Sequence, residues 1–155
     1  MNDSIEILTI SNCNIQRIHN LPKNLTRLFL AGNKLKELPS LPSGLIYLNC
    51  SHNKLNTLPD LPESIEILHC EKNNIKELPI LPISLRYLNV YGNRLSQLPS
   101  LSENLNFINY AENKLINSKL KIDRNREIIS EILTSNIKYK PMKLNQLQKK
   151  LFKLI

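Results

Sequence analysis

The 155-residue chain contains no tryptophan, only three glycines, and only eight phenylalanines and tyrosines in all. A conventional fold of this size draws on more glycine for its turns and more aromatics for its core. No apolar run approaches the roughly 18 uninterrupted residues of a membrane-spanning helix, which excludes an integral membrane protein of that kind. The N-terminus, MNDSIEILTI, has two acids, no basic flank and no continuous apolar region, so no cleaved signal peptide is expected. Three cysteines is an odd number in a chain without an export signal, which points to reduced thiols and a cytoplasmic location. What the chain has instead is leucine, isoleucine and nine prolines. At 41% hydrophobic and 22% charged it reads as globular rather than disordered. A net charge of +8 leaves a polyanionic partner open.

The prolines organise the chain. Pro22, Pro42, Pro62 and Pro82 are spaced by 20 residues, as are Pro39, Pro59, Pro79 and Pro99, and only Pro141 lies outside both series. Aligned on them are LPKNLTRLFLAGNKLKELPS, LPSGLIYLNCSHNKLNTLPD, LPESIEILHCEKNNIKELPI and LPISLRYLNVYGNRLSQLPS, with no insertion or deletion. A further copy begins at Leu101 and loses the pattern after Leu115, and a degenerate first copy runs through Ile5, Leu8, Ile10, Cys13, Ile15 and Ile18. A fixed period in the range of about 20 to 29 residues predicts a solenoid.

The pattern L-x-x-L-x-L-x-x-N-x-L-x-x-L-P-x-L-P resembles the leucine-rich repeat in its shortest, 20-residue class. That class is similar to the repeats of type III secreted effectors (YopM-like and IpaH-like proteins), and to short repeat proteins of amoebae and large DNA viruses. The resemblance spans residues 1–115. It implies an α/β solenoid, a protein-recognition role, and effector-like action in a cytoplasm, including that of a host cell. It does not extend to the ubiquitin-ligase domain of some of those effectors, whose nucleophile is a cysteine; no cysteine follows Cys70.

Each repeat has one period-2 segment, such as Leu28-Phe29-Leu30, in which alternate side chains face opposite sides. Leu28 and Leu30 are expected inward with Leu25, Leu35, Leu38 and Leu41, while Arg27, Phe29 and Ala31 face outward. One repeat cannot bury its leucines alone, so neighbours stack, their strands pair in parallel, and a right-handed solenoid with a curved sheet results. Six strands roughly 4.8 Å apart make a sheet about 25–30 Å wide. Asn33, Asn53, Asn73, Asn93 and Asn113 form a column whose amides are expected to satisfy backbone groups where the chain leaves the strand; Cys13 takes that place in the first repeat. Leu-Pro pairs, with φ fixed and no N–H, predict an extended, polyproline-like convex side. The bends are then assigned to Asn and Pro, which fits the scarcity of glycine.

The composition shifts at Ile116. Residues 116–155 hold ten Lys and Arg against three Asp and Glu, so the tail carries +7 and residues 1–115 only +1. Ile128, Ile129, Ile132 and Leu133 have helical spacing after a candidate cap at Asp123, and Leu144, Leu147, Leu151 and Leu154 form a second amphipathic run beyond Pro141. These helices are expected to cap the solenoid's C-terminal end. The alternative is a peripheral membrane or nucleic-acid adaptor, contacting its target through Lys143, Lys149, Lys150 and Lys153.

Outward strand positions make three columns: Ile7, Arg27, Tyr47, Ile67, Tyr87 and Phe107; Thr9, Phe29, Asn49, His69, Asn89 and Asn109; Ser11, Ala31, Ser51, Glu71, Tyr91 and Ala111. Five of the eight aromatics fall on this surface, with Tyr110 turned inward. Aromatic anchors among Asn, His and Arg predict non-enzymatic binding of a protein partner through the concave face, at Arg27, Phe29, Tyr47, Asn49, Ile67, His69, Glu71, Tyr87, Asn89, Tyr91, Phe107 and Asn109. Aromatics also favour strands for their own sake. A stripe of Asn14, Lys34, Lys54, Asn74, Arg94 and Lys114 reads as a solvated face or an anion-facing rim.

No cofactor and no metal site is expected. Cys50, His52, His69 and Cys70 crowd together, but strand alternation turns both cysteines into the core and His69 to the face, whereas zinc needs converging ligands. No nucleophile stands exposed beside a base, and carboxylates on the face are few, chiefly Glu71 and Glu112. A further possibility is a substrate-presenting accessory to a separate ubiquitin ligase.

Overall fold

The computed structural model describes residues 4–115. Six three-residue strands lie in chain order: β1 (Ile7–Thr9), β2 (Arg27–Phe29), β3 (Tyr47–Asn49), β4 (Ile67–His69), β5 (Tyr87–Asn89) and β6 (Phe107–Asn109). They form one parallel sheet in the order β1-β2-β3-β4-β5-β6, and every register partner is 20 residues away: Leu28 pairs with Leu48, and Leu48 with Leu68. A repeat without insertions leaves no other register in which each leucine stacks on a leucine. Residues 4–115 thus form a parallel-strand solenoid of the leucine-rich-repeat kind. The helical segments expected beyond Ile116, with Lys143, Lys149, Lys150 and Lys153, lie outside the described residues.

The interior is a stack of aliphatic layers. Leu28, Leu48, Leu68 and Leu88 are fully buried, as are Leu25, Leu45 and Ile65 one row before and Leu35, Leu55, Ile75 and Leu95 one row after. Each fully buried leucine contributes about 1.5–3 kcal/mol of transfer free energy. The row at the second Leu-Pro pair is weaker. Leu41 and Leu61 are only partly covered, against the full burial expected of them, because this row lies at the rim of each layer.

The asparagine ladder does what the spacing predicts and shows how. Asn73 Nδ2 donates to the carbonyls of Cys70 in its own repeat and Cys50 in the one before, both at 3.1 Å, and its Oδ1 accepts the Leu55 N–H at 2.9 Å. Asn53, Asn93 and Asn113 repeat the arrangement. Asn33 Oδ1 takes the N–H groups of both Cys13 and Ile15. Each amide therefore ties two repeats together at a bend where strand pairing has ended. Cys13 is exposed, and its thiol donates to the Ser11 carbonyl.

The bends themselves differ from expectation. In every repeat the residue just before the ladder position has a left-handed backbone: Asn12, Gly32, His52, Lys72, Gly92 and Glu112, with φ between 52° and 70°. The turn is thus not made by Asn and Pro alone. Glycine holds it twice, and three non-glycine, non-asparagine residues adopt it at a cost of about 1–2 kcal/mol each. The back is also not extended throughout. Pro42, Pro62 and Pro82 accept, at 3.1 Å, the N–H of the leucine or isoleucine three residues on, closing a tight turn ahead of each strand. Ser102 takes the same role in the last repeat.

Candidate functional site

The outward columns fall on one face of the sheet, with alternation setting their direction. Within each strand the central residue is buried or nearly so, and the flanking two are half-buried from β2 to β6. Half-burial of large side chains on a sheet means that they cover one another.

They do so as a continuous file of rings. Phe29 and Tyr47 have centroids 4.8 Å apart, Tyr47 and His69 5.7 Å, His69 and Tyr87 4.8 Å, and Tyr87 and Phe107 4.4 Å, the last pair stacked at an interplanar angle of 8°. The file crosses five consecutive strands, stepping diagonally between two columns from Phe29 to Tyr87, since Phe29 pairs in register with Asn49, and then running straight along the first column, where Tyr87 pairs with Phe107. The expected residues Phe29, Tyr47, His69, Tyr87 and Phe107 are thus brought into one array. Each ring pair within about 4.5–7 Å adds to burial a favourable edge or stacking term.

The asparagines of the second column also bond locally. Asn49, Asn89 and Asn109 each accept, through Oδ1, the backbone N–H two residues on, at 3.1, 3.2 and 3.3 Å. Asn49 also receives the Ser51 hydroxyl at 2.7 Å and hydrogen-bonds the Tyr47 phenol. These amides, placed among the partner contacts by sequence reasoning, brace the strand exits. Burial raises the Tyr47 pKa; the bond to Asn49 opposes that, and the charge of Glu71 adds to it.

Glu71 is half-buried beside the rings. His69 Nδ1 lies 3.7 Å from its Oε2, beyond hydrogen-bond length, and Oε2 is enclosed without a hydrogen-bond partner. Tyr91 belongs to another cluster. Lys72 Nζ sits 4.3 Å over its ring and 3.0 Å from Glu112 Oε2. Glu112, counted as a face carboxylate from the sequence, instead occupies the left-handed turn column beside the face. Sequence reasoning passed over Lys72, which an i, i+40 comparison with Glu112 across the repeats exposes.

Arg27 and Ile67 stand half-buried in the first column. The basic stripe is exposed at Lys34, Lys54, Arg94 and Lys114. Cys50 and Cys70 are fully buried, their thiols donating to the carbonyls of His69 and Asn89 at 3.5 Å. Burial raises the pKa of both, with Glu71 adding to each and Cys50 adding to Cys70. Buried protonated thiols are poor nucleophiles and poor metal ligands. On the back, Ile80 and Ile83 are 89% and 64% exposed. The repeat alignment signals both, since other repeats carry Ser40, Asp60 and Ser100, or Lys23, Ser43, Glu63 and Glu103, at those places. A recess of about 310 Å³ near Arg17, His19 and Glu37 is open to solvent and gathers no reactive group.

This geometry is that of a leucine-rich-repeat solenoid, and comparison with known proteins agrees. The Leucine Rich Repeat family matches residues 84–105. Among solved structures, YopM from Yersinia enterocolitica WA-314 is 40% identical, with a TM-score of 0.63 over 64% of this chain and 22% of that one. A Shigella effector leucine-rich-repeat domain is 34% identical, with a TM-score of 0.72 over 74% of this chain and 53% of that one. YopM from Yersinia pestis, described as a leucine-rich effector protein, is 31% identical, with a TM-score of 0.57 over 71% of this chain and 38% of that one. The chain therefore spans between about a fifth and a half of these relatives. No curated protein matches it. The chain has the leucine-rich-repeat fold and is similar to these bacterial effectors in the repeats it shares with them.

Proposed function

We propose that the chain is a non-enzymatic recognition module that holds a protein partner against the concave face of its sheet. The observation that supports this reading is the five-ring file from Phe29 to Phe107. Strand propensity accounts for aromatics in strands but not for their joining into one array across five of them. Large, rigid aromatic anchors with a polar surround are the composition of binding hot spots. The buried thiols and the absence of a nucleophile beside a base on the described face support a binding rather than a catalytic role.

The similarity to effector proteins of Yersinia and Shigella supports an effector-like role in a host cytoplasm. No helix among the described residues is long and apolar enough to cross a membrane. Residues 116–155 form, on this reading, a basic capping segment distinct from the repeat body of residues 1–115.

Quantitative capture from host-cell cytosol tests the reading with three full-length or truncated baits. Partners retained by the wild type and by a chain ending at residue 140, but lost with Tyr47→Ala plus Tyr87→Ala, support the concave face. Partners lost on truncation and indifferent to the ring substitutions assign binding to the basic tail and overturn it.

A further inference from the structure

Glu71 is out of place in its column. The equivalent positions in the other repeats are Ser11, Ala31, Ser51, Tyr91 and Ala111, all uncharged. Glu71 lies two residues after His69, in the repeat between those of Tyr47 and Tyr87, and the widest ring gap of the file, 5.7 Å, is the one between Tyr47 and His69. The carboxylate is not neutralised where it stands. The cation next to it in sequence, Lys72, is drawn off to Glu112 at 3.0 Å and over the Tyr91 ring at 4.3 Å. Its own ion-pair contact is the His69 nitrogen at 3.7 Å, and Oε2 has no hydrogen bond at all.

A half-desolvated carboxylate with an unmet acceptor is costly in the free protein and strongly attractive to an incoming cation. The charge is reachable: the Glu71 side chain keeps 19% of its exposure and the neighbouring His69 22%. Its terminal torsion is soft, so a small rotation turns Oε2 toward the face. The ring faces beside it supply the second half of a cation site, since a guanidinium stacks on aromatic rings while donating two parallel bonds to a carboxylate. Lysine provides only a point charge and stays more strongly hydrated.

We propose that Glu71, framed by Tyr47, His69 and Tyr87, is the anchor for a single cationic side chain, arginine in preference to lysine, of an extended segment of the protein partner. This rests on the concave-face reading above and specifies the chemistry of its occupant. The rings hold the segment's apolar side chains, and the carboxylate selects the position of the charge.

Selection of random 12-residue peptides on the full-length protein tests it, followed by affinity measurements on the enriched peptides. The expected peptides share one arginine among apolar residues. Replacing that arginine by citrulline weakens binding to the wild type by about tenfold or more, as for other close interfacial charge pairs, but weakens binding to Glu71→Gln less than about twofold. Glu71→Gln must melt no lower than the wild type, so that a lost preference is not unfolding. Enriched peptides without a basic residue, or an equal citrulline effect in both proteins, overturn the anchor. If those peptides still lose binding with Tyr47→Ala plus Tyr87→Ala, the concave-face reading survives that result. No enrichment, or peptides indifferent to the ring pair, overturns both.

Discussion

Lys72 and Glu112, 40 residues apart, form a 3.0 Å ion pair across an intervening repeat. Gly92 makes this possible. It lies between them in the left-handed turn column, and a Cβ there would stand 2.9 Å from Lys72 Cδ and 3.2 Å from Nζ. The lysine lies over the glycine because no side chain is present to fill the space. Gly92→Ala is therefore expected to lose about 1–2 kcal/mol through the left-handed backbone alone. It also displaces Lys72. Chemical denaturation measures the first effect, and the Glu112 titration the second.

The Glu112 carboxyl titrates below its ordinary value of 4.5, held down first by its hydrogen bond with the Tyr91 phenol and then by Lys72. A depressed folded-state pKa contributes stability above the ordinary value that is lost as pH falls through the depressed one. Lys72 is raised above 10.5, first by its bond to Glu112, so its contribution is lost as pH rises through the raised value. Carbon-detected NMR of the carboxyl is expected to show both Tyr91→Phe and Lys72→Met moving Glu112 back toward 4.5. Both groups are solvent-exposed, and the melting midpoint shifts little.

The ladder amides carry more. Asn73→Ala leaves the Leu55 N–H without a partner and takes one of two amide donors from each of the Cys50 and Cys70 carbonyls, which keep Asn53 and Asn93. An unsatisfied buried group costs about 1–3 kcal/mol, and a net loss in that range is expected in urea denaturation. Asn113→Ala, at the end of the ladder and only partly buried, is expected to lose less.

Two substitutions are expected to stabilise. His52 is exposed and left-handed at φ 52°, so His52→Gly relieves backbone strain against glycine's greater unfolded-state entropy, for a net gain of up to about 1 kcal/mol. Glu71→Gln replaces an unneutralised carboxylate by an amide of the same shape and gains about 1 kcal/mol. Thermal melts at neutral pH check both. A residue whose neutral isostere is more stable is retained at a cost, which fits a binding role for Glu71.

Thiol titration separates the three cysteines. In the native protein only Cys13, which is exposed, is expected to react promptly with a disulfide reagent, whereas Cys50 and Cys70 react only on unfolding. Prompt reaction of all three under native conditions would contradict the packing of β3 against β4.

The repeat body was legible because its period translates position in the sequence into position in space. With no insertion between Pro22 and Pro99, residue n must lie beside n+20, so Leu28, Leu48 and Leu68 align and the ladder from Asn33 to Asn113 follows. Aromatics at alternate strand positions likewise had to share a face. The left-handed turns at His52, Lys72 and Glu112 were not legible, since those residues have little intrinsic preference for that backbone and adopt it only because the ladder bonds on either side compel it. Ile80 and Ile83 stand out in the alignment, but nothing local distinguishes an exposed isoleucine from a core one.

By itself the sequence determined the register, the core and the face on which the aromatic side chains lie, because an unbroken 20-residue period leaves one way to stack. Only the tertiary structure decided how the face's polar groups are used. Asn49, Asn89 and Asn109 are committed to their own backbone, Lys72 is drawn to Glu112, and Glu71 is left with an acceptor unmet. The physical reason is that backbone position follows from the period, whereas side-chain pairing depends on rotamers and on distances of a few ångströms between residues two, 20 or 40 apart.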